Sequence, residues 1–261
     1  MDLYDIAYYL LKSNVGAKSV KEAISMEFPF QKSPNLFKEF LLREQIKIIP
    51  FWDERYPLLL KQIADCPALL FAKGDISLLQ KSCVTMVGSR KMSVYSEEVL
   101  KEVFSRKNLL SKDLCFVSGL AYGVDSEVHR LCLKKNLNTI GVVGGGLEKF
   151  YYRGNSVMYK YLSKYRLVLS EFPPGREFFK GMFLLRNRIL AGMSDRTFVI
   201  QAAQRSGALN TAAHANNYGR DVFVVPNNIL DDSSQGCLNL IEQGAGTVVN
   251  IDDFLGKING I

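Results

Sequence analysis

A chain of 261 residues with 48% apolar side chains is long enough to bury a real core, as one large domain or as one domain with a small appendage. Its 33 Lys plus Arg against 26 Asp plus Glu leave a formal net charge of +7, which favours polyanionic partners without singling one out. Five cysteines without a CxxC pair, and only two histidines, argue against a disulfide framework, a zinc site or a His-rich proton relay, and point to a reducing compartment.

The amino terminus, MDLYDIAYYLLK, is amphipathic and carries acidic residues, unlike a signal peptide. No apolar run approaches membrane-spanning length, so the chain is expected in the cytoplasm, away from membranes. Residues 1–44 read as about three short helices, broken at Asn14–Gly16 and Pro29–Pro34, and form an expected small helical lobe. The larger domain then spans residues 45–261 and opens with a strand at Lys47–Phe51.

From Ser82 onward, short apolar runs alternate with helical patterns, the rhythm of βαβ units around a parallel sheet. The expected strands are Cys83–Val87, Leu114–Val117, Thr139–Val143, Arg166–Leu169, Arg196–Ile200, Val222–Val225 and Thr247–Val249. Between them the spacing predicts helices near Ser96–Lys107, Gly123–Lys135, Val157–Lys164, Leu184–Ala191, Gly207–Tyr218 and Cys237–Gln243. The expected fold is therefore α/β: a Rossmann-like, doubly wound, mostly parallel sheet. Cys83 and Cys115 fall in strands, where a free thiol behaves as a small buried hydrophobe.

Glycine and small polar residues cluster directly after these strands, at Gly88-Ser89-Arg90, Ser118-Gly119, Gly144-Gly145-Gly146, Ser170-Glu171, Gln204-Arg205-Ser206-Gly207 and Pro226-Asn227. In a doubly wound sheet such turns gather on the rim at the carboxyl ends of the strands, where ligands bind. Ser206-Gly207, opening the helix that carries Thr211, aims free backbone N–H groups and a positive dipole end outward, which suits a phosphate. The Gly88–Arg90 turn adds a guanidinium able to grip a phosphate bidentately. Arg90, Lys149, Arg153, Lys180, Arg186 and Arg205 are interleaved with Phe150, Tyr151, Phe178, Phe179 and Phe183. Cations along a backbone and aromatic faces for bases are the two ingredients of single-strand binding.

Plainer readings compete. Tight strand-to-helix turns need glycine in any case. Phe178, Phe179 and Phe183 could seal the core, His129 and His214 could be hydrogen-bonded packing residues, and Arg186-Asn187-Arg188 could tie loops together through Glu171. Standard nucleotide motifs are absent: no GxxxxGK[ST] loop exists, and Gly144-Gly145-Gly146-Leu147-Glu148-Lys149 puts Lys149 where a dinucleotide fingerprint needs its third glycine.

Eight ordered motifs carry a family resemblance: VGSR at 87–90, SGLAYGVD at 118–125, TIGVVGGGLEKFYYRGN at 139–155, SEFPPG at 170–175, RNRILAG at 186–192, SGALNTAAHA at 206–215, GRDVFVVP at 219–226 and LIEQGA at 240–245. Together they resemble the DNA-processing protein A (DprA/Smf) family over roughly residues 45–250. The resemblance implies a protein that protects incoming single-stranded DNA in natural transformation and loads the recombinase RecA, as a homodimer, with no cofactor and no catalytic chemistry. It implies phosphate contacts from Arg90 and Lys180, a phosphate-cradling turn at Ser206, Gly207 and Thr211, and base stacking on Phe183. With the rim residues read above, the candidate set is Gly88, Ser89, Arg90, Ser118, Gly119, Lys180, Gly181, Phe183, Arg186, Asn187, Arg205, Ser206, Gly207 and Thr211. Gln201, Asn227 and Tyr152 depart from the family pattern, which bears on loop shape. The alternative reading is a Rossmann-type nucleotide N-glycosidase, whose carboxylate would have to be Glu171; a third is a scaffold that binds a small nucleotide as a signal.

Overall fold

A computed structural model describes residues 3–12, 35–148 and 155–261. Helices α1 (Leu3–Lys12) and α2 (Asn35–Arg43) come first, and Ile6, Ala7, Phe37 and Leu41 share an apolar cluster with Leu69, Phe71, Leu162 and Val168 of the larger body. The expected helix breaks at Asn14–Gly16 and Pro29–Pro34, and Lys149, Phe150, Tyr151 and Arg153 of the rim, lie outside the described residues.

The rest is built on one sheet of nine strands. These are β1 (Lys47–Pro50), β2 (Leu69–Gly74), β3 (Ser82–Gly88), β4 (Leu114–Gly119), β5 (Asn138–Val142), β6 (Leu167–Ser170), β7 (Arg196–Gln201), β8 (Asp221–Val224) and β9 (Gly246–Thr247). Their order is β1-β2-β6-β5-β4-β3-β7-β8-β9. β2 runs antiparallel to both β1 and β6, and every other pairing is parallel. Every residue of β4 is buried, which is why Leu114–Val117 reads as an unbroken apolar run: helices cover both of its faces.

Alternation along β3 shows the two layers. Val84 and Met86 enter a cluster with Leu100 and Phe104 of α4 (Val94–Ser105), Val128 of α5 (Val124–Lys135) and Phe254 of the last helix, Ile251–Asn259. Cys83 and Val87 enter the opposite cluster, with Leu60 of the short α3 (Leu58–Lys61), Ile189 of α7 (Met182–Gly192) and Ala212 of α8 (Gly207–Asn217). Helix α6 (Ser156–Tyr165) links β5 to β6, and α9 (Gln235–Glu242) precedes β9.

The expected α/β doubly wound class is thus the observed one. Among the strands and α-helices three escaped the pattern, the short α3 being one of them. β2, buried over Leu69–Ala72, lies ahead of Ser82, outside the strand–helix alternation that marked the later strands. The closing helix α10 (Ile251–Asn259) is capped by the Asn250 side chain, which accepts from the Asp253 N–H at 2.9 Å.

Candidate nucleic-acid interface

The chain moves outward from β3 through β4 and β5 to β6, then returns to β7 on the other side of β3 and proceeds to β8 and β9. The winding reverses between β3 and β7, and a crevice opens beyond their carboxyl ends. The ladder is irregular there, with a register shift between Val87 and Gly88. The Ser89 N–H donates to the Gln201 carbonyl at 2.8 Å, and the Val124 N–H donates to the Ser89 carbonyl at 3.1 Å. The Ser89 hydroxyl donates to the Lys91 carbonyl at 2.9 Å and accepts from the Lys91 N–H at 3.1 Å, so it shapes the turn that projects Arg90. Gly123, at φ +73°, lets the next turn lie against the Ser89 carbonyl, where a Cβ would clash.

The second wall is the start of α8. Ser206 caps it, its hydroxyl accepting from the Ala208 N–H at 3.3 Å. Gly207 follows, exposed, and a Cβ built there meets nothing within 4 Å. Neither backbone strain nor packing demands glycine at this point, so the missing side chain leaves open space over the helix N-terminus.

Between the walls lies a cavity of about 520 Å³, lined among others by Gly88, Ser89, Arg90, Phe183, Arg205 and Ser206. Arg186, Asn187, Gly207 and Thr211 also line it. Arg90 and Arg205 are exposed, whereas Arg186 is buried in the floor and donates to the Val142 carbonyl. Asp125 is buried beside it, and burial pushes its carboxyl up to about 6 against the pull of the Arg186 charge. Asn187 donates to the Gly207 carbonyl and to Asn210 Oδ1, both at 3.2 Å, and so fixes α7 to the start of α8.

Aromatic groups flank the opening. The Arg90 guanidinium sits 5.9 Å from the centre of the Phe183 ring, which meets Phe178 at 5.1 Å in a tilted pair. Phe178 is half-buried and Phe179 is 46% exposed, so Phe179 does not seal the core. Lys180 is exposed and Gly181 half-buried, one turn ahead of Phe183, whose N–H donates to the Lys180 carbonyl at 3.3 Å. Neither lines the cavity.

Ser118 and Gly119 lie beneath the cavity. The Ser118 hydroxyl, fully buried, donates to the Met86 carbonyl at 2.6 Å, and the Gly119 carbonyl is 2.7 Å from His129 Nε2. His129 is buried, held also by Thr139 at 2.8 Å, and burial drives its imidazole down to about 4. Glu171, the carboxylate on which the N-glycosidase reading depends, does not line the cavity; it is buried in an ion pair with Arg188 at 2.5 Å. Gln201 accepts from the Ser93 N–H at 2.8 Å and donates to Ser233 Oγ at 2.6 Å, so its amide joins two loops. Sequence reasoning overlooked Asp125 as a cavity residue, although it closes the SGLAYGVD stretch, four residues before His129 on α5.

A doubly wound sheet with a crevice at the switch point between β3 and β7 defines a Rossmann-type protein. Over residues 47–259 the sequence matches the model of the DNA recombination-mediator protein A family, and the chain belongs to that family. It is 36% identical to the DNA processing protein DprA of Bacillus subtilis over 249 residues, which cover 95% of this chain and 82% of that protein. The X-ray structure of DprA from Streptococcus pneumoniae superposes with a TM-score of 0.84 at 34% identity, covering 98% of each chain. A structure of DprA from Helicobacter pylori, which addresses that protein's single-stranded DNA binding mode, gives a TM-score of 0.71 at 28% identity and covers 82% of this chain and 95% of that one.

Proposed function

We propose that this chain binds single-stranded DNA across the β3/β7 crevice, protects incoming strands during natural transformation and delivers them to the recombinase RecA. It acts as a cytoplasmic homodimer and as a binding protein rather than an enzyme, with residues 1–44 forming a helical lobe on a DNA-binding domain at 45–261. The carrying observation is the convergence of the Arg90 turn, the Arg205 side chain and the open N-terminus of α8 on one cavity of about 520 Å³. Backbone N–H groups and guanidinium groups hold phosphates there, and Phe183 offers a ring face to a base. Lys180 meets the strand on its way in. Single-strand binding by the H. pylori relative supports the same reading. So does the absence, among the described residues, of any helix long and apolar enough to cross a membrane.

Gel shifts with single- and double-stranded oligonucleotides over a salt series test the proposal. Single strands bind tighter, and affinity falls steeply with salt as counterions are released. Arg90→Ala and Lys180→Ala each flatten the logarithmic salt slope by roughly 0.7, the value for one phosphate on a single strand. Unchanged binding in both variants overturns the site.

A further inference from the structure

The opposite edge of the sheet, where the strands begin, carries a charge pattern that the crevice does not use. Lys112 precedes β4, Lys134 lies in the last turn of α5 ahead of β5, and Lys164 in the last turn of α6 ahead of β6; all are exposed. β4, β5 and β6 are consecutive neighbours in the sheet. The three lysines therefore share the edge of the sheet at which these neighbouring strands begin. Lys107 joins them through its hydrogen bond to the Lys135 carbonyl at 3.3 Å, and Arg166 through its bond to Asn136 Oδ1 at 2.8 Å. The bordering carboxylates are engaged: Asp113 by Lys81 at 2.8 Å, and Asp75 by the Ser77 hydroxyl at 2.7 Å.

A helix carboxyl end attracts one cation by its own dipole, which accounts for Lys134 and Lys164 taken singly. It also accounts for Lys107 and Arg166, which bond the carboxyl end of α5, but not for Lys112 or for the aromatic surface on α6. Tyr161 and Tyr165, one turn apart on α6, are each about half exposed, 53% and 50%, with ring centres 5.9 Å apart. Lys164 lies over the Tyr165 ring at 4.9 Å. Large rings left in water beside ammonium groups suit a ligand that brings both phosphates and unpaired bases.

We infer that this edge is a second binding surface for a single-stranded nucleic acid, with its backbone along Lys112, Lys134 and Lys164 and its bases on Tyr161 and Tyr165. The six-residue length of β4 puts it about 20 Å from the crevice, so one protomer holds two segments of strand. The inference takes from the proposed function only that the chain handles single strands.

The test uses the full chain and oligothymidylates of about 8 and about 40 nucleotides, chosen to occupy one site or to reach both. The short strand binds at two equivalents per protomer. One equivalent remains in the Lys112→Glu/Lys134→Glu/Lys164→Glu variant, and one in Arg90→Ala/Lys180→Ala. The triple variant binds the long strand at least about tenfold more weakly and loses roughly two units of salt slope. Tyr161→Ser/Tyr165→Ser weakens single-strand binding with the lysines intact, and circular dichroism confirms that each variant is folded. A single equivalent in the unmodified protein, with unchanged long-strand affinity in the triple variant, overturns the inference and leaves the crevice reading standing. Loss confined to the edge variants does the reverse. If the triple variant keeps its oligonucleotide affinity and loses only polyglutamate binding, the edge is a site for acidic protein and the inference fails.

Discussion

Arg186 and Arg188 lie two positions apart on α7, are each 6% exposed, and serve opposite sides of the helix. Two residues along an α-helix turn the side chain through about 200°, so one guanidinium enters the crevice floor and the other points away from it. Arg186 donates to the Val142 carbonyl and faces Asp125 beneath Arg90. Arg188 closes on Glu171 and donates to the Asp65 carbonyl at 2.6 Å, bracing the α3–β2 connection against α7. The pair shows that residue type and burial alone do not separate a cavity floor from a brace. The partner on the far end of the side chain does.

The largest effect expected from this contrast is on stability. Arg188→Ala strands Glu171 in the core and costs about 3–5 kcal/mol in denaturant unfolding, with strand affinity of the folded protein nearly unchanged. Arg186→Ala is expected to lose affinity as well. Equal losses of affinity in the two variants, measured where both are folded, would erase the distinction between floor and brace.

A second substitution drives stability and binding in opposite directions. Gly207→Ala adds a helix-favouring residue at a position with free space, so unfolding stability holds or rises by up to about 1 kcal/mol. The same methyl group stands where the phosphate is proposed to sit, and strand affinity falls at least about tenfold, or about 1.4 kcal/mol. Unaltered affinity in calorimetric titration would remove the phosphate from the α8 N-terminus.

The smallest effect is a pH dependence. Asp125 carries a carboxyl raised to about 6 by burial, while His129, lowered to about 4, stays neutral through that region. As pH falls through 6, Asp125 takes up a proton and the crevice floor loses a negative charge near Arg90 and Arg186, so strand affinity rises by a factor of a few. The native state binds this proton more readily than the unfolded chain, so the contribution of Asp125 to stability declines as pH rises from about 4 to about 6. Asp125→Asn should flatten the binding profile, and a persistent rise in that variant would assign the titration elsewhere.

The sheet was legible because its strands are short apolar runs punctuated by turn residues; β3 to β8 fall within about two residues of their expected bounds. β2 was not: its first four residues are as buried as those of β4, but it lies ahead of Ser82, where the strand–helix alternation that marked the later strands begins, and it pairs antiparallel with both neighbours. At the rim, residue type located the walls at Arg90 and Ser206, but it could not separate surface from underlayer. Ser118 and Gly119 sit at a strand end like Gly88 and Ser89, yet α5 and the Arg186 side chain cover them. Depth depends on what crosses above, which is tertiary information. Burial of His129 by hydrogen bonds matched the plainer reading of that residue.

The outermost strands are four residues long at β1 and two at β9. Such short margins present few unsatisfied main-chain donors and acceptors, and β1 ends in Pro50, which has no N–H to offer a neighbour. Self-association of this protein through continuation of the sheet is therefore disfavoured from both flanks. Any pairing of copies is then expected to rest on side chains rather than on a shared main-chain ladder, which leaves the framework that shapes the crevice undisturbed.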